Sequence, residues 1–304
     1  MREANGLAIV AVDAGYGNMK TASCLFPAGL IAHDEKPYFT DNLLEYGGRW
    51  YTIGEGHKEY TPDKIMDEDY YLLTLAAIAR ELSRKGVTRA KMLLAAGLPL
   101  TWIVSQQKAY REYLLRNKEV AFTFCGREYH IEIADAMIFP QGYAAIADRL
   151  GEFKGVNIVA DIGNGTVNLL RVVDRRADPK TMVTEAVGVK DCIAAMRTAL
   201  ANKHSGAKVD DSILERIIRT GAARIDAAYL ATLQEAARSY TRSLFRLFRE
   251  YGYDAKTTRL YAVGGGSCLI RNFSGDTSVV INGDIHANAK GYEWLAYERL
   301  RKRT

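Results

Sequence analysis

Two short stretches of this 304-residue chain repeat one pattern, and the repeat restricts its fold more than any other feature. DAGYGN begins at Asp13 and DIGNGT begins at Asp161, and each follows an apolar, β-branched run of strand length. The stretches align without a gap at an offset of 148 residues, which nearly halves the chain. Residues 19–25 and 167–173 can each form a returning strand. The sequence therefore predicts two similar strand–turn–strand hairpins.

The first stretch resembles two common phosphate-binding loops but matches neither of them. The dinucleotide fingerprint requires glycine where Lys20 stands, and the P-loop requires glycine where Met19 stands. Glycines in such a hairpin still allow backbone N–H groups to close around phosphate oxygens. The glycines placed for this purpose are Gly15, Gly17, Gly163 and Gly165.

An aspartate beside phosphate requires a cation between the two anions. Mg²⁺ prefers oxygen ligands and retains several waters, so Asp13 and Asp161 are predicted to face one metal-bound nucleotide through water. Lys20 offers a positive charge to phosphate, while Asn18 and Thr166 offer neutral hydrogen bonds. For either hairpin alone, a simple glycine-rich turn is an equally good interpretation.

Two further segments fit the same chemistry. Gly264, Gly265 and Gly266 follow an apolar strand and permit close approach of a nucleoside, although three glycines also suit a tight turn. Gln141 in IFPQGYAAI can orient an attacking water, as glutamine does in GTPases; the alternative is an exposed loop glutamine. These segments predict hydrolysis of a nucleoside triphosphate.

The remaining pattern predicts a mixed α/β protein with room for two domains. Asp67 is a predicted N-cap for the first helix. Helices are predicted at 70–82, 106–117, 190–202, 211–219 and 226–251, a buried strand at 90–98, and short strands on both sides of Gly126 within 121–133. On the long helix, Arg238, Arg242, Arg246 and Arg249 share one face, which is either solvated surface or a protein contact surface.

Composition excludes several classes of function. The net charge of +5 is well below the dense basic footprint of a dedicated nucleic-acid-binding protein, so any DNA connection is predicted to be indirect. The four cysteines are far apart, without the paired spacing of a zinc site. The most apolar segment, 92–104, is too short to span a bilayer. We expect a cytoplasmic protein without a membrane partner.

Taken in order, these motifs resemble those of the actin-like ATPases, and most closely the bacterial plasmid-segregation proteins of the ParM type. The resemblance extends over nearly the whole chain and includes GLPLT at Gly97–Thr101, the connecting segment at Pro140–Tyr143 and ANAKGYEWL at Ala287–Leu295. It implies an actin-like (ribonuclease H-like) α/β fold, with two domains flanking a nucleotide cleft. The implied domains are 1–150, with a small outer subdomain at 33–65, and 151–304, with one at 204–259. The helix at 287–303 would pack back on the first domain.

The resemblance also implies roles and partners. Asp13 and Asp161 would face Mg²⁺, Gln141 would position water, and Glu215 would contact the adenine side of bound ATP. GTP is the alternative nucleotide. The residues that would hold phosphate are Asn18, Lys20, Asn164, Thr166 and the glycines of both hairpins. Gly264–Gly266 would hold the nucleoside. Filaments would assemble and reach plasmid DNA through an adaptor of the ParR type. A non-polymerising ATP-dependent regulator or a small-molecule kinase is the alternative.

Two positions depart from the family pattern. Many relatives have glycine where Asn164 stands, so the backbone there must accommodate a side chain or use the ease of asparagine in left-handed conformations. Many ParM-like proteins have glutamate where Gln141 stands, which bears on the rate of hydrolysis and not on binding.

Overall fold

A computed structural model describes residues 1–55 and 68–302, so the predicted N-cap Asp67 lies outside the described residues. The chain divides into two compact units. Unit 1 comprises Met1–Asp148 and His286–Thr304, and unit 2 comprises Arg149–Ile285.

Unit 1 is built on a mixed sheet. Its strands are β1 (Arg2–Ala4), β2 (Leu7–Ala14), β3 (Asn18–Thr21), β4 (Leu25–Pro27), β5 (Leu30–His33), β6 (Leu43–Tyr46), β7 (Arg49–Ile53), β8 (Arg89–Leu98), β9 (Glu119–Phe124) and β10 (Arg127–Pro140). Its α-helices are α1 (Asp69–Arg84), α2 (Ile103–Leu114) and, from the end of the chain, α7 (Ala287–Arg301). The described strands pair in the order β4-β3-β2-β8-β10-β9-β6-β7-β5, with β1 also on β2.

Strands β2, β8 and β10 are parallel neighbours and carry helices on both faces. Successive side chains of a strand point to opposite faces, so each strand contributes to two cores. On one face Val10, Val12, Leu94 and Ala96 pack in the cluster that includes α1 and α2. On the other face Ile9, Ala11, Leu93 and Ala95 pack against Ala289, Tyr292 and Ala296 of α7. Alternate residues along β2 and β8 therefore pack against different helices, one set toward α1 and α2 and the other set against α7.

Several predicted bounds in unit 1 differ from the structure. Helix α2 begins at Ile103 rather than at 106, because the turn from Pro99 already places Trp102 to accept the Gln106 N–H at 2.8 Å. Strand β10 continues to Pro140, seven residues past the predicted end, because its parallel pairing with β8 resumes after an irregularity between Ile133 and Asp135. The predicted strand at 90–98 is confirmed by β8.

Unit 2 contains a smaller sheet. Its strands are β11 (Val156–Ile162), β12 (Val167–Val173), β13 (Arg176–Ala177), β14 (Val183–Glu185), β15 (Arg259–Val263) and β16 (Val280–Ile281). Its α-helices are α3 (Val189–Lys203), α4 (Asp211–Thr220), α5 (Ala227–Glu250) and α6 (Ser267–Phe273), and two 3-10 helices lie at Ala144–Glu152, which spans the unit boundary, and Pro179–Thr181. The described strands pair in the order β13-β12-β11-β15-β16, with β14 on β12.

The core of unit 2 lies between this sheet and its helices. Leu233, Ala237, Leu244 and Phe248 of α5 are buried there, with Cys192 and Met196 of α3. The α5 helix begins where Asp226 accepts the N–H groups of Ala228 and Tyr229, an N-cap that offsets two unpaired donors of the first turn. Among the described residues, no helix combines the length and apolar character needed to cross a bilayer.

The cysteines provide a test of this packing. Burial raises the pKa of the Cys192 thiol to about 12, whereas Cys125 is exposed in the β9–β10 turn. Alkylation requires an accessible thiolate, so near pH 8 iodoacetamide should label Cys125 and spare Cys192. Peptide mass spectrometry measures both rates, with the urea-unfolded chain as the control. Equal labelling of the two thiols in the native protein would contradict the buried face of α3.

Candidate functional site

The first predicted hairpin joins β2 to β3. Asp13 pairs with Lys20 and Ala14 with Met19 across the two strands, and the Gly15 N–H donates to the Asn18 carbonyl at 3.1 Å. A Cβ atom on Gly15 would lie 2.8 Å from that carbonyl oxygen, so the turn requires glycine. Asp13 was predicted to begin the loop, but β2 continues to Ala14 and makes it the penultimate strand residue.

The second hairpin joins β11 to β12 in the same register. Asp161 is again the penultimate residue of its strand, and the Gly163 N–H donates to the Thr166 carbonyl at 2.8 Å. Asp161 pairs with Asn168, which takes the place that Lys20 has in the first hairpin. Asn164 is exposed, and its backbone is not left-handed, so the turn accommodates its side chain directly.

Three parallel strands bring Asp13 and Gln141 together. Asp13 continues the row of Ile9 and Ala11 on β2, and Gln141 follows Phe139 at the end of β10, both on the face covered by α7. Between them, β8 places Gly97 one step beyond the paired residues Val12 and Ala96. Because Gly97 has no side chain, the Tyr292 phenol occupies the space above β8, beside the Gln141 amide that donates to the Asp13 carboxylate.

The Asp13 carboxylate is 3% exposed and is surrounded by donors. Gln141 Nε2 donates to Oδ1 at 2.9 Å, Tyr292 Oη donates to the same oxygen at 3.5 Å, and Lys20 Nζ lies 3.6 Å from Oδ2. Burial raises the pKa of Tyr110 in α2, and Tyr113 and Asp13 raise it further, so this phenol stays neutral. A buried charge is tolerated when it is paired and hydrogen-bonded, and Asp13 has both kinds of partner.

Helix α7 supports this cluster through close contacts that the sequence did not reveal. A Cβ on Gly97 would overlap the Tyr292 phenol, with Cε1 at 2.8 Å, and a Cβ on Gly291 would overlap the backbone of Ala144. The Gly142 N–H donates to Asn288 Oδ1 at 2.9 Å, which fixes the segment after Gln141. The glycines of GLPLT and ANAKGYEWL were the available signal, but nothing in the sequence shows which backbones approach each other.

In unit 2 the predicted glycine turn lies directly against the second hairpin. Gly264 has a φ of +81°, and a Cβ there would overlap Asp161 Oδ1 and lie 2.7 Å from the Ile162 carbonyl oxygen. The Gly266 N–H donates to that carbonyl at 2.8 Å. Gly265 is exposed and has open space around its α-carbon. Asp161, which is 5% exposed, thus adjoins the triple-glycine turn within unit 2.

The start of α3 holds the second hairpin from the other side. The N–H groups of Val189 and Lys190 donate to the carbonyls of Gly163 and Asn164 at 3.1 and 3.0 Å. A Cβ on Gly188 would lie 2.6 Å from the carbonyl carbon of Asn164. Tyr240 of α5 donates to the Gly188 carbonyl at 2.6 Å; burial raises the pKa of this phenol, so it keeps its proton. Sequence reasoning missed Gly188 and Tyr240.

The remaining predicted residues divide between the units. Thr166 is buried in the second hairpin, and Asn18 is exposed beside the first. Glu215 is exposed on α4 and forms no hydrogen bond or ion pair within the part of the chain that the structure describes. Its helix is tied to α6 by the Asn272 amide, which donates to the Ile218 carbonyl at 2.8 Å.

The donor set fits a magnesium-bound nucleotide. Carboxylate oxygens are ligands that Mg²⁺ prefers, and the glycine turn that follows Asp13 closes tightly because Gly15 has no Cβ to meet the Asn18 carbonyl. Residues 1–55 and 68–302 contain no cluster of three or more His, Cys, Asp or Glu side chains suited to a metal.

Comparisons with known proteins also relate this chain to actin-like proteins. Residues 11–143 match the sequence model of the family described as "Actin like proteins N terminal domain". No curated protein matches the sequence significantly.

Solved structures resemble nearly the whole chain. Ta0583, an archaeal actin homolog crystallised with ADP, is 21% identical, with a TM-score of 0.70 over 96% of this chain and all of its own. The Alp12 filament structure is 16% identical, with a TM-score of 0.68 over 97% of this chain and 99% of that one. Bacillus thuringiensis ParM with ATP is 12% identical, with a TM-score of 0.68 over 99% and 100%. The predicted actin-like α/β fold is confirmed.

Substitution of Gly188 tests the support of the second hairpin. Gly188→Ala should lower the free energy of unfolding by about 1–3 kcal/mol, because the added methyl group overlaps the Asn164 backbone. Gly151→Ala is the matched control, since a Cβ there meets no atom within 4 Å. Urea unfolding of both variants measures the difference. Equal stabilities would show that α3 does not press on the hairpin.

Proposed function

We propose that this protein, which has the actin-like fold, binds and hydrolyses ATP with Mg²⁺ and assembles into filaments that segregate plasmid DNA. The repeated hairpin carries the proposal. Two strands in different units end in the same way, with a buried aspartate followed by a glycine turn closed from residue i to residue i+3. One such turn is common, but two in identical register indicate a shared ligand.

The residues at the two hairpins suggest which part of the ligand each would bind. Lys20 and the backbone of the first hairpin would bind phosphate oxygens, and the Gly264–Gly266 turn would lie along the nucleoside. Asp13 and Asp161 would hold Mg²⁺ through water. The ion supplies charge neutralisation between carboxylate and phosphate when it is bound. Lys20 is already 3.6 Å from Asp13, so phosphate and metal would each take one partner of this ion pair.

The orientation of Gln141 supports a role in hydrolysis. A carboxylate can only accept hydrogen bonds, so the amide must turn Nε2 toward Asp13 at 2.9 Å. This leaves Oε1 to accept a proton of water. Such an amide cannot remove the proton, but it can hold the water in line with the terminal phosphate.

Assembly and plasmid segregation are proposed from proteins of the same fold. Solved neighbours include the Alp12 filament and a ParM with ATP. We propose that self-association is the first partnership, that an adaptor of the ParR type is the second, and that DNA is reached only through the adaptor. The modest net charge of +5 is consistent with indirect contact.

Sedimentation tests this function. We expect Mg²⁺ and ATP to convert the purified protein, at tens of micromolar, into a pellet that contains filaments in electron micrographs. Asp161→Ala should abolish pelleting, because it removes a carboxylate that faces the metal. Asp148→Ala is the control, since Asp148 is exposed and forms no hydrogen bond or ion pair among the described residues. Parallel samples with GTP determine the base preference.

The alternatives make different predictions in the same assay. A wild-type protein that stays monomeric with Mg²⁺ and either nucleotide would refute the filament function. If that monomer also phosphorylated a small metabolite, the kinase alternative would replace it. Polymerisation that continued in Asp161→Ala would instead refute the proposed metal site.

Gln141→Ala separates hydrolysis from binding. Loss of the amide removes the group that orients water, and misplacement of a reacting group costs about 100-fold in rate. We expect phosphate release to slow by that order while nucleotide affinity changes little. Single-turnover phosphate release and fluorescence titration measure the two quantities. Unchanged release would show that Gln141 only supports Asp13.

A further inference from the structure

The second half of α5 presents an arginine stripe, which we define as Arg238, Arg242, Arg246 and Arg249. All four side chains are exposed, and residues 236–249 contain no aspartate or glutamate. Arg238 and Arg242 share one carboxylate, that of Glu235, at 3.2 and 2.9 Å. Arg246 donates to the Ser243 hydroxyl at 2.6 Å, a neutral partner. Of the four guanidinium groups, Arg238 and Arg242 therefore form ion pairs on their own helix, and both pair with Glu235.

The excess of basic over acidic residues is also found in unit 2 as a whole, but not in unit 1. Unit 1 contains 21 Lys and Arg residues and 21 Asp and Glu residues, whereas unit 2 contains 20 and 15. The whole net charge of +5 thus belongs to unit 2. A surface of one charge steers approaching molecules and favours an acidic partner.

Unit 1 presents a surface of the opposite kind, the aromatic loop, which we define as residues 34–42 between β5 and β6. Tyr38 and Phe39 have relative exposures of 103% and 87%. Asp34, Glu35 and Asp41 are exposed and have no basic partner within ion-pair distance in the part of the chain that the structure describes. Two adjacent aromatic rings that are both exposed to solvent are an unusual exposure of apolar area on a protein surface.

Hydrogen bonds hold the C-terminal end of the aromatic loop against the rest of unit 1. Arg80 donates to Asn42 Oδ1 at 2.6 Å, and the Leu43 N–H donates to the Thr40 carbonyl at 3.1 Å. Lys36, the one basic residue of the loop, is 3.7 Å from Glu45 and so is already paired. The two rings and the three acids therefore remain available as one preformed element.

We propose that the arginine stripe of one copy binds the aromatic loop of a second copy. Arginine stacks on aromatic faces and pairs with carboxylates in a bidentate fork, so one stripe satisfies both features of the loop. Two stripes repel each other, which excludes a two-fold contact through this surface. A contact between unlike surfaces repeats from copy to copy, and it builds an open filament when the rotation between copies does not close a ring. The proposal rests on the self-association proposed above and names the surfaces that carry it.

Charge reversal tests the contact. In sedimentation with Mg²⁺ and ATP, Arg242→Glu with Arg246→Glu should raise the critical concentration by about tenfold or more. Lys180→Glu with Lys256→Glu is the control, because both lysines are exposed in unit 2, lie outside α5 and change the net charge equally. Adding Asp34→Arg and Glu35→Arg to the stripe variant should restore assembly. Nucleotide titration of each variant confirms that its fold is intact.

A mixing experiment isolates the single contact. The stripe variant retains its loop, and Tyr38→Ser with Phe39→Ser retains its stripe. Mixed together, they should form a one-to-one dimer in analytical ultracentrifugation, whereas each alone stays monomeric. A stripe variant that assembles like the control, or restored charges that do not rescue it, would overturn the inference. Failure of the wild type to sediment would instead overturn the proposed function.

Discussion

The buried carboxylate of Asp13 is the constraint around which unit 1 is arranged. Its charge requires donors, and they come from three separate elements: Lys20 on the neighbouring strand, Gln141 at the end of β10 and Tyr292 on α7. Each donor imposes a further demand. Tyr292 requires that position 97 have no side chain, and the packing of α7 requires the same of position 291. The ends of the parallel strands β2 and β10 and the last helix thus converge on one charged group.

The two units hold the same hairpin by different means. Asp13 lies opposite a lysine, but Asp161 lies opposite Asn168, whose amide oxygen accepts from Thr184 at 2.8 Å. The second hairpin depends instead on backbone contacts, from the start of α3 and from the glycine turn at 264–266. Unit 1 therefore surrounds its aspartate with charged and polar side-chain donors, whereas unit 2 holds its hairpin through close backbone contacts.

The sequence was sufficient to predict the local part of this arrangement. The register of the hairpins, strand β12 and the helix α5 all depend on patterns within a few residues. It was insufficient for contacts between distant segments, such as Tyr292 with Asp13, which are 279 residues apart. Nothing local distinguishes Gly188 or Gly291 from an ordinary turn or helix glycine. The start of α2 was misplaced because the turn after Pro99, and not the apolar pattern, sets it.

The net charge is distributed unevenly between the two units, which affects how copies of the chain could associate. A net charge of +5 over 304 residues suggests a mild general excess, yet unit 1 is neutral and unit 2 carries all of it. If copies associated through like surfaces, two positive units would meet and repel. Association of unlike surfaces, as proposed above, would place the positive unit 2 against the neutral unit 1, which carries the acidic residues of the aromatic loop, and would avoid that repulsion. The charge distribution therefore disfavours contacts between two copies of unit 2, independently of which side chains make the contact.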